Sequence, residues 1–214
     1  MSTNNDQLQR SLVVACDHCL MRLVSPQTSV AVCRPDCKRI SLEKGTIIYC
    51  EGAVAESLFV LCRGSVKLTY ITGSGSERIA QFIHPGDLFG LDAILHRTAR
   101  RFSAVTRSAS LIHAVGTVEF AAAIRDNTTG LWELAQSLNT YLHAALMEKV
   151  KITGNRVSQR MQNAGIELGQ KGSVTLATGG RKLEVTQREL ADFIGVPEET
   201  VCRELSRLRI QQQQ

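Results

Sequence analysis

The stretch from Thr186 to Arg209 constrains the fold most, because two short helical patterns meet there at a glycine. Thr186 and Glu189 stand three residues apart, which is the spacing of a capping box at the N-terminus of a helix. The apolar residues that follow share one face of this predicted helix; they are Leu190, Ala191 and Ile194. The pattern therefore predicts a short helix with one buried side.

A second helix is predicted after Gly195, which tolerates the backbone of a tight turn. Pro197 suits the start of this helix, where a missing N–H costs nothing. The residues predicted to be buried are Val201, Leu205 and Leu208. Their spacing leaves a second face outward, which carries Glu199, Cys202, Arg203 and Arg207.

Two helices joined in this way are typical of a helix-turn-helix, whose second helix enters the major groove of DNA. Because Arg can form two hydrogen bonds to guanine and Glu can accept one from cytosine, we predict that Arg203 and Glu199 contact bases. The other residues predicted to contact DNA are Thr186, Arg188, Thr200, Cys202 and Arg207. An ordinary pair of amphipathic helices with charged outer faces would give the same pattern, so the rest of the chain is needed to decide.

The run E-E-T-V-C-R-E-L, from Glu198 to Leu205, resembles the recognition helix of the CRP/FNR family of bacterial transcription regulators, closest to its FNR-like, oxygen- and redox-sensing branch. The resemblance implies base-reading places for Glu199 and Arg203. It also implies a homodimer on a palindromic site in double-stranded DNA, with RNA polymerase as a further partner. Cys202 stands where the FNR branch usually has Ser and the cyclic-AMP branch usually has Gly.

The composition is that of a globular protein with enough apolar residues for two modest domains, since 43% of the 214 residues are hydrophobic. A net charge of +5 is compatible with a nucleic-acid partner without requiring one. We expect a cytoplasmic protein without a membrane span, because no apolar stretch is long enough and the polar start M-S-T-N-N-D-Q is unlike a signal peptide. In a reducing compartment the seven cysteines are expected to be free thiols or metal ligands.

Between Lys38 and about Val115 the sequence alternates short β-branched runs with glycine-containing turns, which predicts a β-sandwich or barrel. In S-V-K-L-T-Y the alternation places Val66, Leu68 and Tyr70 on one face, and the later run G-S-G predicts a hairpin loop. The order of runs, including H-P-G-D-L-F-G-L, resembles the jelly-roll effector domain of the same family. The predicted fold class is α+β, with an N-terminal jelly roll, a long dimerisation helix and a C-terminal helix-turn-helix domain.

A helical pattern runs from Thr128 to about Lys151, which is roughly 36 Å of helix. The residues that recur at spacings of three and four, as in a two-stranded coiled coil, are Leu131, Leu134, Leu138, Tyr141 and Ala145. Packing of this face against its own domain would give the same short pattern. The family's helix at this place pairs two subunits, so the resemblance favours a dimer interface.

The predicted domain boundaries give four parts: a cysteine-containing segment 1–37, a jelly-roll sensor domain 38–127, a dimerisation helix 128–153 and a helix-turn-helix domain 154–214. Gly154 and Asn155 interrupt the helical pattern and are predicted to form a hinge.

The last of these parts is expected to begin with a helix from Arg156 to Leu168, followed by a β-hairpin of residues 173–177 and 182–185. The resemblance implies a two-stranded wing after Leu208. Because the sequence stops at R-I-Q-Q-Q-Q, we expect the wing to be missing or truncated.

The resemblance also implies what a jelly roll needs in order to hold cyclic AMP, namely a Glu for the ribose hydroxyl and an Arg-Ser pair for the phosphate. Directly after G-D-L-F-G, where that Glu is expected, this chain has Leu91, with Asp92 one residue later. The phosphate segment is A-R-R-F-S-A, and we expect its Arg100 and Arg101 to be solvated. Since this donor and acceptor pattern is incomplete, cyclic AMP is not an expected ligand.

Four cysteines ahead of the β-rich region have the spacing C-x2-C-x13-C-x3-C and are Cys16, Cys19, Cys33 and Cys37. Paired thiolates suit either zinc or an iron–sulfur cluster, and reversible thiol chemistry or plain reduced cysteines are further alternatives. The resemblance to FNR-like members favours an oxygen-labile [4Fe-4S] cluster over zinc, and it implies a β-domain ligand at the place where this chain has His113. Cys50 and Cys62 lie in strand-like runs and are expected to be small buried residues.

These observations predict a homodimeric, sequence-specific transcription regulator, and not an enzyme, controlled by redox or oxygen through an N-terminal Cys-ligated centre. A thiol redox enzyme that uses Cys16 and Cys19 is one alternative, since C-x-x-C can cycle between dithiol and disulfide, but the β-α-β setting of such enzymes is not evident. A sensor domain with impaired DNA binding is a second alternative, because the wing is expected to be missing.

Overall fold

The computed structural model describes residues 39–125, 127–152, 157–163, 166–168, 174–178 and 181–212. The described residues divide into two compact units, one formed by those within 39–70 and 80–136 and the other by those within 71–79 and 137–212. This division falls inside the long helix, whereas the boundary predicted from the sequence lies at the start of that helix.

The strands of the β-rich part are β1 (Arg39–Leu42), β2 (Ile47–Tyr49), β3 (Ser57–Arg63), β4 (Val66–Ile71), β5 (Glu77–Ile83), β6 (Leu88–Phe89), β7 (Ser103–Thr106) and β8 (Ser110–Gly116). They form two four-stranded sheets with the orders β1-β8-β3-β6 and β2-β7-β4-β5. Strand β8 pairs antiparallel with β1 and β3, and β7 pairs antiparallel with β2 and β4. Neighbours in each sheet are mostly distant in sequence, as in a jelly roll, and this confirms the predicted β architecture.

Alternate residues of β3 serve two separate apolar clusters, because successive side chains of a strand point to opposite faces. Phe59 and Leu61 belong to the cluster between the sheets, whose other buried members are Val66, Leu68, Ile83, Phe89, Ala104 and Ile112. Leu58 belongs to a cluster on the other side. Strand β3 is therefore buried on both faces, which explains why its central residues form a continuous apolar run.

Strand β4 follows the predicted alternation at its start and departs from it at its end. Val66 and Leu68 are buried as expected. Tyr70, which was predicted on the same face, is partly exposed at the end of the strand, whereas Thr69 is buried. In the predicted G-S-G loop after this strand, the Gly75 amide donates to the Thr72 carbonyl over 2.8 Å, and the φ of +80° at Gly75 favours a residue without a Cβ.

Helices close one side of the β-rich part: α1 (Leu91–His96), α2 (Thr117–Arg125) and α3 (Thr128–Ile152). The bounds of α3 agree with the predicted helix. The second apolar cluster brings together Leu58, Leu91, Val115, Phe120 and Leu134, so all three helices contribute to it.

The C-terminal part contains α4 (Val157–Asn163), β9 (Glu167–Leu168), β10 (Val174–Thr178), β11 (Arg181–Val185), α5 (Gln187–Ile194) and α6 (Glu198–Gln212). Strands β10 and β11 form the predicted hairpin. The helix predicted to continue to Leu168 is wrong at its end, because Glu167 and Leu168 pair with Thr175 and Val174 as a third strand. The hinge predicted at Gly154 and Asn155 lies outside the described residues.

Candidate nucleic-acid interface

The start and end of α5 are built by local hydrogen bonds that the sequence predicts. The Thr186 hydroxyl accepts a hydrogen bond from the Glu189 amide over 3.1 Å, and the Glu189 carboxylate accepts one from the Thr186 amide over 3.0 Å. At the other end Gly195 adopts φ +73°, and both its amide and that of Val196 donate to the Ala191 carbonyl over 3.0 Å. The turn between α5 and α6 is thus fixed by the backbone itself.

One face of each helix is buried, and these faces orient α6. From α5 the buried residues are Leu190, Ala191 and Ile194, and from α6 they are Val201 and Leu205. Leu208, predicted to be buried with them, is only half-buried near the end of the helix. Because Val201 and Leu205 point inward, residues half a turn away on α6 must point outward.

The outward face of α6 carries the residues predicted to contact bases. Glu199 and Arg203 are exposed and lie one turn apart in a single row along the helix. Ser206 continues this row and is exposed, although it was not predicted as a site residue. Thr200 lies beside the row and is half-buried. This row presents a carboxylate, a guanidinium and a hydroxyl on one helix surface.

Cys202 connects the two helices. Its thiol is half-buried and donates to the Gln187 side-chain oxygen over 2.8 Å. Gln187 is the first residue of α5, so this bond joins the second turn of α6 to the capped start of α5. Gln187 was not predicted as a site residue, and only the contact between the helices brings it to this place.

The remaining residues predicted to contact DNA occupy the same region with different roles. Arg188 is exposed on the first turn of α5. Arg207 is exposed and forms an ion pair with Glu204 over 2.7 Å on its own helix. Thr186 is exposed, but its hydroxyl is engaged with Glu189 in the capping box. Thr186 therefore has a structural task in addition to any contact with DNA.

A second surface lies along α3. The large apolar residues exposed on this helix are Leu131, Trp132, Leu138, Leu142, Leu146 and Met147. Most of them, with Ala145, form a stripe at spacings of three and four residues. Leu134, predicted to lie at a dimer interface, is 5% exposed and packs inside its own chain against Phe120 and Leu58. Tyr141 is half-buried, so the exposed stripe is rotated from the predicted one toward Leu142 and Leu146.

Comparison with known proteins identifies the family. A model of the cyclic nucleotide-binding domain matches residues 39–127. The nitrogen fixation regulation protein FixK of Azorhizobium caulinodans is 30% identical over 171 residues, which are 77% of this chain and 66% of that protein. The cyclic AMP receptor protein of Thermus thermophilus is 27% identical over 165 residues, which are 77% of this chain and 74% of that protein. The chain belongs to the CRP/FNR family.

The solved structure of FixK2 from Bradyrhizobium japonicum matches this CRP/FNR-family chain with a TM-score of 0.63 over 82% of this chain and 85% of that one. The sequences are 22% identical, so this match supports the fold. The matched proteins are regulators, which agrees with the prediction that the chain is not an enzyme.

Within the β-rich part of this CRP/FNR-family chain, Arg100 differs from its predicted environment. It was expected to be solvated, yet it is 4% exposed. Its Nη1 donates to the Gly90 carbonyl over 2.7 Å, and its Nη2 donates to the Ser57 carbonyl. The guanidinium carbon lies 4.2 Å from the centre of the Tyr49 ring, within the range of a cation–π contact. Arg101, the next residue, is exposed as predicted.

The surroundings of Arg100 are mainly aromatic. The rings of Tyr49, Phe59 and Phe89 stack with centroid distances of 5.4 to 6.2 Å. Burial lowers the pKa of Arg100 below its ordinary value, while Tyr49 and Asp92 act in the opposite direction. Burial likewise raises the pKa of Tyr49 far above its usual 10, although the nearby Arg100 charge partly opposes this effect.

The two residues that follow Gly90 lie in opposite environments. Leu91 is buried in the cluster under the helices, whereas Asp92 is exposed on the first turn of α1. Gly90 itself has φ +76°, and a Cβ at this position would collide with Nη1 of Arg100. The Gly90 turn and the Arg100 side chain are therefore in direct contact.

The four cysteines predicted as metal ligands, Cys16, Cys19, Cys33 and Cys37, lie outside the described residues. His113 lies in β8, is 6% exposed and is the register partner of Arg39 in β1. Cys62 is buried as expected, but Cys50 is exposed, because it follows β2 and lies outside the strand. In the described part of the chain, no three His, Cys, Asp or Glu residues are grouped closely enough to hold a metal ion.

No helix in the described ranges is both long and apolar enough to cross a bilayer.

Proposed function

We propose that this chain is a homodimeric, sequence-specific DNA-binding transcription regulator that reads a palindromic operator through α6. The observation that carries the proposal is the row of Glu199, Arg203 and Ser206 on the exposed face of a helix whose other face is buried. A capped helix and a glycine turn hold this helix in place. Membership in a family of regulators supports the same function.

The proposed contacts follow from the chemistry of the exposed side chains. Arg203 would form two hydrogen bonds to a guanine, and Glu199 would accept one from a cytosine amino group. Arg188 and Arg207 would contact phosphates, because their charges lie beside the row on exposed positions. Cys202 would act indirectly by holding Gln187 at the start of α5.

Two copies of the chain are needed to read a palindrome. The exposed stripe on α3 provides an apolar surface that a second copy can cover. In a two-fold dimer the recognition helices would enter successive major grooves about 34 Å apart. RNA polymerase is the further partner that the family resemblance implies, and its contact surface is not specified by these residues.

Selection from a random pool of duplexes tests sequence-specific binding. The full chain should enrich a palindrome, and Arg203→Ala should weaken binding to that palindrome by at least roughly 30-fold, because it removes a guanine contact worth about 1–3 kcal/mol from each of the two half-sites. Its binding to an unrelated duplex should change little. Arg101→Ala is the matched control, since it removes an exposed arginine of the other unit.

The outcome of selection also separates a DNA-binding regulator from a sensor with impaired DNA binding. If the wild-type chain enriches no sequence, a sensor with impaired DNA binding describes it better. If Arg203→Ala weakens both duplexes equally, Arg203 contacts phosphate and not a base.

We further infer that binding is controlled by redox state or oxygen through a [4Fe-4S] cluster at the N-terminal cysteines. Thiolates are the ligands such clusters take, and Cys16, Cys19, Cys33 and Cys37 provide four of them. Arg39, two residues after Cys37 in the sequence, pairs with His113, so the cysteine segment leads directly into the strand beside that histidine. His113 is therefore the β-domain candidate for an additional ligand. A bound cluster supplies an oxygen-labile redox centre.

Purification without oxygen tests this control. Visible absorbance, iron and acid-labile sulfide should be present before exposure to air and lost afterwards, together with a change in operator affinity. Cys16→Ser should remove the colour, whereas Cys50→Ser, which replaces an exposed cysteine of the β part, should retain it. A colourless, iron-free protein would exclude the cluster, and stoichiometric zinc in its place would support the zinc alternative.

A further inference from the structure

The β-rich part binds one of its own side chains in the way that proteins bind small cations. The Arg100 guanidinium is held by two main-chain carbonyls, those of Gly90 and Ser57, and lies over the Tyr49 ring. A cation that donates to fixed acceptors and rests on an aromatic face is the usual arrangement for a bound guanidinium or ammonium ligand. Among the described residues no carboxylate lies within ion-pair distance of Arg100. The carbonyls and the ring are therefore its partners.

These contacts join three separate segments of the fold. Gly90 lies in the turn before α1, Ser57 begins β3, and Tyr49 ends β2. The main chain of Arg100 is also anchored, since its amide donates to the Ala53 carbonyl and its carbonyl accepts from the Gly52 amide, both over 2.8 Å. The guanidinium therefore cannot swing out without breaking contacts with elements of both sheets.

The same geometry differs from what a cyclic nucleotide, the ligand named in the matched domain model, requires. The family resemblance assigns the phosphate to the segment that contains Arg100 and the ribose to the residue after Gly90. In this structure Gly90 and Arg100 already touch, so that even a Cβ at Gly90 would collide with the guanidinium. The residue after Gly90 is Leu91, which is apolar and buried under the helices. The residues present do not fit a cyclic nucleotide.

We propose that Arg100 is an internal ligand of the β-rich part, which joins the Gly90 turn to β3 and Tyr49 without any nucleotide. Burying a guanidinium costs desolvation energy, and Nε has no hydrogen-bond partner among the described residues. The two charge-assisted hydrogen bonds and the ring contact offset this cost. This proposal does not depend on DNA binding, because its tests measure only ligand binding and stability.

Titration calorimetry and thermal unfolding of the full chain test whether the protein binds a cyclic nucleotide. Millimolar cyclic AMP or cyclic GMP should produce no binding heat and no shift of the Tm of the wild-type protein. Binding of either nucleotide with a rise in Tm would overturn the proposal, because the nucleotide would have to displace Arg100 from Gly90.

Removal and chemical replacement of the Arg100 side chain test whether its contacts stabilise the fold. Arg100→Ala should lower the Tm by about 5–10 °C, since two charge-assisted hydrogen bonds are lost. Millimolar methylguanidinium should raise the Tm of this variant, because it can occupy the space between the two carbonyls and the Tyr49 ring. It should not raise the Tm of the wild type or of Arg101→Ala, and urea at the same concentration should have no such effect on any of them.

Two results would contradict the internal-ligand role. One is an Arg100→Ala protein as stable as Arg101→Ala, and the other is a folded Arg100→Ala protein that methylguanidinium does not stabilise. If Arg100→Ala does not fold, Arg100→Lys provides the measurement, because lysine keeps the charge but not the planar two-nitrogen fork. Arg100→Lys should fold with a Tm below that of the wild type, and equal stability would contradict the proposal.

Discussion

Arg100 and Arg101 are neighbours in the sequence, yet the first is buried and the second is exposed. Both stand in a polar run before β7, so local composition gives no reason to separate them. The difference arises because Gly90, Ser57 and Tyr49 come together around the first side chain. A single arginine is thus assigned its role by residues up to 51 positions away in the chain.

The hydroxyl of Tyr49 makes stability depend on pH in the alkaline range. Its pKa is raised in the folded protein by burial, so the folded state keeps the phenol proton at a pH where the unfolded chain loses it. The contribution is complete below about pH 10 and decreases as the pH rises above that value. Tyr49→Phe should therefore reduce the loss of stability between neutral and strongly alkaline pH.

Urea unfolding at a series of alkaline pH values measures this effect. Tyr49→Phe keeps the ring beneath Arg100, so the comparison with the wild type isolates the hydroxyl. Tyr70→Phe is the control, because Tyr70 lies partly exposed at the end of β4. An identical pH dependence for Tyr49→Phe and the wild type would show that the Tyr49 phenol is not protected by folding.

At the scale of single elements, α5 depends on interactions that can be recognised within four consecutive residues. Thr186 and Glu189 satisfy each other's backbone amides, which a free helix end would leave unpaired. The burial of Leu190 and Ile194 then fixes the side of the helix that faces inward. Because both signals are local, the sequence predicts this helix and its starting residue.

Removal of the cap should destabilise the protein by a predictable amount. Thr186→Ala should lower the free energy of unfolding by about 0.5–2 kcal/mol, whereas Thr186→Ser should retain most of it because the hydroxyl can still accept from the Glu189 amide. Urea unfolding monitored by circular dichroism gives the values. Glu189→Ala and the double variant complete a mutant cycle, and strict additivity of the two losses would be evidence against a reciprocal capping box.

In helix α3 the sequence predicts an apolar face, but packing within the chain sets the direction of that face. The spacing of its leucines predicts an apolar face, and that face exists. Its angular position is decided by Leu134, which turns toward Phe120 and Leu58 of the same chain. The exposed stripe consequently includes Leu142 and Leu146, which the spacing from Leu131 did not select.

At the scale of the whole molecule, the proposed dimer depends on this exposed stripe. Leu138→Glu places a charge in its centre and should convert the dimer to a monomer, since an unpaired carboxylate would be buried between two copies. Operator affinity should fall by at least roughly 100-fold, because a monomer reads only one half-site. Sedimentation velocity and anisotropy measure the two effects.

A matched substitution shows whether the exposed stripe on α3 is the surface through which the dimer forms. Gln136→Glu adds the same charge to α3 at an exposed position outside the stripe, and it should leave both the dimer and the operator affinity unchanged. A Leu138→Glu protein that remains dimeric would show that the subunits associate through another surface.

The amino-acid sequence is sufficient to predict the parts of this protein that rest on short-range interactions: the capped helix at Thr186, the glycine turn at Gly195, the β10–β11 hairpin and the extent of α3. In each of them, hydrogen bonds or periodicity within a few residues are sufficient. Three features become evident only in the folded chain: Arg100 is buried, Leu134 faces its own chain, and Glu167 and Leu168 form a strand. These outcomes depend on partners far away in the sequence, whose carbonyls, rings and strand edges no local pattern reveals.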